Sequence, residues 1–211
     1  MLKNPRMVRK VSAAIGDAVD AAFEAYRHGR VNEEPAITDR ILGGVEERVR
    51  SLKLKGVAWT ARTLRTARGR AAEERRHGAD LMGVLDIEVP GFSVKKGFLA
   101  QAKRAEPGQS FSSADWNRLQ EQCETMLMRS PDSFVLVYSK ARGVRFVSAS
   151  AVLHLHSRDI FDLYDRSVAS FFEAHIECFI GDRRLDSTDI NVLDAMLDMP
   201  VLRVLELKAR S

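Results

Sequence analysis

The chain has 211 residues, 45% of them hydrophobic and 29% charged, with a net charge of +4, which describes a folded domain and excludes a disordered chain. A chain of this length buries most of the surface its unfolded form exposes, so folding needs neither a disulfide framework nor a structural metal, and two cysteines (Cys123 and Cys178) point to a reducing, cytoplasmic setting. No stretch approaches about 18 uninterrupted apolar residues, which excludes a membrane span, and Asp17 and Asp20 interrupt the apolar positions that a secretory leader needs.

In chain order, Val11 to Tyr26 reads as an amphipathic helix ending near Gly29. A second helix opens at Asn32, with Pro35 tolerated in its first turn and Ile37, Ile41, Val45, Val49 and Leu52 as an apolar stripe that Gly43-Gly44 weakens. Residues 56–61 read as a short strand, and 62–76 as a basic helix or loop. Ala79 to Val89, the turn Pro90-Gly91 and Lys96 to Lys103 form a hairpin. Ser112 or Ser113 caps a helix carrying Trp116, Leu119, Cys123 and Met126. Phe134 to Ser139 and Val144 to Ser148 are antiparallel strands. A helix near 158–173, a short helix near 188–198 and a β-like segment from Val201 to Leu207 follow. A helix falling between extended runs predicts an α/β fold with a central mixed sheet flanked by helices, in a single domain over 1–211. Residues 32–155 are its expected core, preceded by a helical N-terminal segment and followed by a C-terminal extension over 156–211.

Charge is uneven along the chain. Residues 1–76 hold 17 Lys/Arg against 10 Asp/Glu, and the densest run, 48–76, holds ten basic residues against two acids. Such a field suits a polyanion, although a solvated basic surface would look the same. Arg62, Arg65 and Arg68 recur every three residues beside Thr60, Thr63 and Thr66, and with Arg70, Arg75 and Arg76 they are the candidate nucleic-acid contacts.

The chemistry-bearing residues lie in the hairpin. Side chains alternate faces along a strand, so Gln101 and Lys103 project together while Ala100 and Ala102 leave room for a helix on the other face. Asp80 begins the neighbouring strand and can reach that edge. A carboxylate, an amide oxygen and an ammonium at one sheet edge suit phosphodiester hydrolysis with Mg²⁺ or Mn²⁺, which take oxygen ligands. Gln101 is a weaker ligand than a carboxylate, and Glu33-Glu34 at the second helix can supply the missing charge. Structural roles are available to the same residues: a turn cap for Asp80, and a favourable helix N-terminus for Glu33 and Glu34.

Gly78-Ala79-Asp80 followed by Gln101-Ala102-Lys103, a helix with Gln120 or Gln122, and the strand Phe134 to Ser139 together resemble the PD-(D/E)XK phosphodiesterase superfamily, in the Mrr-like variant whose motif acid is glutamine. The resemblance covers roughly 32–155 and implies a restriction-endonuclease-like core and a metal-dependent nuclease, acting on DNA and serving restriction or phage defence. It implies Asp80, Gln101 and an acid on the preceding helix as metal ligands, and Lys103 as the residue governing the attacking water. Glu34 is the chosen acid, with Glu33 and Glu74 in reserve. An ATPase or helicase partner follows by analogy, and self-association through 156–211 is left open. The alternative is an inactive domain of the same fold that binds nucleic acid or docks a partner.

Overall fold

The computed structural model describes residues 4–50, 52–65, 79–189, 192–193, 197 and 199–211. Asn4 caps the first helix, α1 (Pro5–Arg27), by accepting a hydrogen bond from the Met7 backbone N–H, and Pro5 occupies the first turn, where an N–H would have no partner. Val8, Val11, Ile15, Val19 and Phe23 form its buried face. The second helix, α2 (Glu34–Arg50), buries Ile37, Ile41, Val45 and Val49. Gly44, unfavourable in a helix by propensity, has a packing reason here. A Cβ there would stand 3.2 Å from the Ala18 carbonyl oxygen and 3.2 Å from Ala22 Cβ, so a side chain would hold α1 and α2 apart.

Among the described residues one mixed sheet has eight strands: β1 (Lys53–Leu54), β2 (Val57–Arg65), β3 (Leu81–Val89), β4 (Phe92–Arg104), β5 (Ser133–Ser139), β6 (Gly143–Ser148), β7 (Asp165–Ser167) and β8 (Arg203–Arg210). Their spatial order is β1-β2-β8-β3-β4-β5-β6-β7. The pairs β3/β8 and β4/β5 are parallel, and the others are antiparallel. Pro90-Gly91 makes the β3–β4 turn, with Val89 opposite Phe92 and Gly91 at φ 75°. Helices α1, α2 and α5 (Val168–Ile176) cover one face, packing on Leu81, Leu85, Ile87 and Phe98. The other face carries α3 (Ser113–Leu127), α4 (Ala149–Leu153) and the segment containing Leu185 and Leu197, packed on Met82, Val84 and Leu99. Burial from both sides explains why the first half of β3, Leu81 to Leu85, is apolar without alternation, whereas Asp86 and Glu88 alternate with Ile87 and Val89 further along. Among the described residues no helix is long and apolar enough to cross a membrane.

Two expectations are corrected. Residues 156–211 are no extension beside a finished core: they supply β7, α5 and β8, and β8 lies between β2 and β3. The helix expected near 158–173 is a 3-10 turn (Ile160–Asp162) and strand β7, with α5 starting only at Val168. Local hydrogen bonding explains the shift: Asp159 accepts from the Phe161 N–H at 3.0 Å, and Ser167 caps α5 by accepting from the Ser170 N–H at 3.2 Å. The short helix expected near 188–198 falls largely outside the described residues.

Gly83 faces Phe98 across the hairpin, and the aromatic ring fills the place of a side chain: an added Cβ would lie 2.2 Å from a ring carbon. Phe98 is fully buried against Phe134, Phe146 and Phe171 and has no free space to turn into. Gly83→Ala therefore destabilises the protein by about 1–3 kcal/mol, measured by urea denaturation, with the fold retained by far-UV circular dichroism.

Candidate active site

Asp80 sits immediately before β3. Its neighbour Ala79 is fixed by a parallel bridge to Val201, donating to the Pro200 carbonyl and accepting from the Leu202 N–H, both at 3.0 Å. Leu81 then stands opposite Ala100, which brings Asp80 level with Gln101. Asp80 Oδ2 accepts from the Gln101 side-chain Nε2 and, at 2.9 Å, from the Ala102 backbone N–H. An ionised carboxylate has no hydrogen to give, so the Gln101 amide turns its nitrogen toward Asp80 and its oxygen away. That oxygen, Gln101 Oε1, is buried and has no hydrogen-bond partner among the described residues. Strand alternation sends Gln101 and Lys103 to the face of α3, while Ala100 and Ala102 pack into the α1/α2 core.

Glu34, the first residue of α2, reaches the end of β4. Its Oε1 accepts from the Arg104 backbone N–H at 3.0 Å and lies 3.8 Å from Arg104 Nε. The same guanidinium donates to the Asn32 carbonyl at 2.8 Å. Behind it, the Thr38 and Tyr138 hydroxyls share a buried 2.8 Å hydrogen bond that ties α2 to β5. Arg203, at the start of β8, pairs with Asp39 and donates to the Pro35 carbonyl at 3.3 Å. The N-terminal turns of α2 are thus tied to β4, β5 and β8.

Burial pushes the Asp80 carboxyl above its ordinary range; the Ala102 N–H and the Lys103 ammonium pull it down, and Glu34 adds to the rise. Asp80, Glu34 and Lys103 therefore lie within electrostatic reach of one another. Beside Lys103, burial pushes the Cys123 thiol up to about 12, so it packs in α3 as a small apolar group. The Lys103 side chain makes no hydrogen bond or ion pair among the described residues. It lines a cleft of about 490 Å³ together with Tyr26, Glu34, Arg104, Glu106, Phe111 and Arg118. Glu106 is occupied in holding the β5–β6 turn, accepting from the Ser139 hydroxyl at 2.6 Å and the Lys140 N–H at 2.6 Å.

Comparison with family models, with curated proteins and with solved structures finds no match.

Of the residues singled out in the sequence, Asp80, Gln101, Lys103 and Glu34 come together here. Glu33 is exposed at the start of α2, and Glu74 lies outside the described residues. The three-residue spacing of Arg62 and Arg65 does not make one row, because they belong to strand β2 and point to opposite faces. Arg62 pairs with Glu206 on β8, and Arg65 with Asp39 on α2. Arg68, Arg70, Arg75 and Arg76 lie outside the described residues. Among the described residues no three His, Cys, Asp or Glu side chains gather into a metal-binding group. Among the described residues the oxygen donors at hand are the Asp80 carboxylate, the Gln101 Oε1 atom and, from α2, the Glu34 carboxylate. That is a sparse set, yet it fits a cation such as Mg²⁺, which is commonly held through one or two carboxylates and keeps several waters. Tyr26, Arg104 and Arg118 line the cleft without having been marked in the sequence. Only Arg104, adjacent to Lys103 on its strand, carried a signal.

Burial of the Asp80 carboxyl makes stability depend on its proton. The native state binds this proton more tightly than the unfolded chain does. That contribution is complete below the ordinary value of 3.8 and is lost as pH rises through the raised native value. In EDTA, Asp80→Asn is more stable than wild type at neutral pH, and the difference closes as pH falls toward 3.8, as read by chemical denaturation at several pH values.

Proposed function

We propose that this protein is a metal-dependent nuclease with a restriction-endonuclease-like core, hydrolysing phosphodiester bonds of nucleic acid, with DNA as the expected substrate. The observation that carries the reading is the Asp80–Gln101 pair: a carboxylate turns a side-chain amide so that its buried oxygen has no partner among the described residues, with a lysine two residues further along the same strand face. Asp80 and Gln101 Oε1 would hold Mg²⁺ or Mn²⁺, with Glu34 as the auxiliary acid. When bound, such an ion supplies Lewis acidity at the phosphoryl oxygen and a water acidified for attack. Lys103, unpaired among the described residues, orients the attacking water or holds negative charge that develops on the phosphoryl oxygens. Arg118, likewise unpaired among the described residues, adds positive charge to the same cleft. Gln101 as an amide and Ala102 as a backbone donor both hold Asp80 Oδ2, which restrains the carboxylate that would ligate the ion.

A second reading is a domain of the same fold that binds nucleic acid or a partner without cutting. Two observations favour it: Asp80 Oδ2 is already satisfied within the protein, and the described residues lack a three-acid cluster. Plasmid, linear duplex, single-stranded DNA and RNA, each incubated with Mg²⁺ or Mn²⁺ against EDTA, separate the two. Nuclease action predicts metal-dependent cleavage that Lys103→Ala lowers by about 10²–10⁴-fold while oligonucleotide binding persists. It also predicts that Mg²⁺ or Mn²⁺ raises the melting temperature of wild type and not of Asp80→Ala. Binding without cleavage on any substrate would leave only the second reading.

A further inference from the structure

Helix α1 brings to the cleft a residue outside the metal-binding set. Tyr26, in the last turn of α1, is only 7% exposed. Its ring is held on two sides, by the Phe23 ring at 5.1 Å between centroids and by the Lys140 ammonium 5.1 Å from its own centroid. It nevertheless lines the cleft beside Glu34, Lys103 and Arg118.

The hydroxyl is what sets this residue apart. Buried tyrosines ordinarily find a partner for their O–H. Tyr138, close by beneath the same end of the sheet, obeys this rule through Thr38 at 2.8 Å. Among the described residues no hydrogen bond reaches the Tyr26 hydroxyl. The hydroxyl is not fully enclosed by protein and opens on the cleft that Tyr26 lines. Burial, with the Glu106 and Glu34 carboxylates, pushes its ionisation above the ordinary range against the pull of Arg104, so it remains a proton donor at neutral pH. The two carboxylates have other donors: Glu106 takes Ser139 and Lys140, and Glu34 takes Arg104.

We propose that Tyr26 is a substrate-contacting residue whose hydroxyl donates a hydrogen bond to a non-bridging phosphate oxygen of a nucleic-acid strand lying in the cleft next to Lys103. This assignment rests on the nuclease reading and makes α1 a wall of the substrate site. A rigidly held donor with no internal partner suits an acceptor-only ligand such as a phosphodiester, which presents oxygens and no hydrogens. The cleft, at about 490 Å³, falls within the size range of small-ligand pockets and accommodates a short backbone segment better than a folded partner.

The test uses the full chain in EDTA, where cleavage is off, and a fluorescently labelled DNA oligonucleotide read by anisotropy. Tyr26→Phe keeps the ring and its packing and removes only the donor; it weakens binding about tenfold with an unchanged melting temperature. Tyr164→Phe, on an exposed residue away from the cleft, binds as wild type does. Should Tyr26→Phe lower the melting temperature, 3-fluorotyrosine introduced at position 26 replaces it: its ¹⁹F resonance shifts on titration with the unlabelled oligonucleotide. Equal affinity of Tyr26→Phe and wild type, or an unmoved ¹⁹F resonance, overturns the Tyr26 assignment while metal-dependent cleavage keeps the nuclease reading. A wild-type protein that neither binds the oligonucleotide nor cleaves any substrate overturns both.

Discussion

One carboxylate oxygen joins the two strands on which the candidate site depends. Asp80 Oδ2 accepts from a side chain of β4 and from its backbone, one residue apart. The backbone bond fixes where the carboxylate lies along the strand, and the side-chain bond fixes which way the Gln101 amide turns. Either alone would leave a degree of freedom. Together they set two oxygens of different chemistry, one acidic and one neutral, at the same edge. Burial raises the Asp80 pKa while the Ala102 N–H and the Lys103 ammonium oppose the rise, so a cation beside the carboxylate would favour its charged form further.

The surroundings limit how far that edge can move. Glu34 would be a flexible surface acid at an ordinary helix start, but the Arg104 backbone N–H holds one of its oxygens. The Thr38–Tyr138 hydroxyl pair and the Arg203–Asp39 ion pair pin the same helical turns to β5 and β8. Arg203 and Tyr138 are buried, so these ties are shielded from solvent more than a surface pair would be. The consequence is a helix whose acid end stays at the mouth of the cleft.

What could be read in the sequence follows from the range of the interactions. The β3–β4 hairpin is local, its turn residues are explicit, and a period of two places Gln101 and Lys103 on one face. Asp80 could therefore be set beside Gln101 across 21 residues. The place of β8 could not: Val201 to Leu207 looked like a strand, but nothing local says that it pairs in parallel with β3, more than a hundred residues earlier. The arginine row misled because spacing by three makes one face only on a helix, and residues 62–65 are strand. Tyr26 was hidden inside a helical apolar stripe. Its ring behaves as that stripe requires, and only the hydroxyl departs from it.

The position of β8 bears on when the site is assembled. Ala79, which anchors Asp80, is bonded to Pro200 and Leu202, and Arg203 secures the helix that carries Glu34. A growing polypeptide can make the hairpin and both early helices while still on the ribosome, yet the gap between β2 and β3 stays open until residues 201–210 emerge. Long-range parallel pairing of this kind is slow to form, and the placement of both carboxylates depends on it.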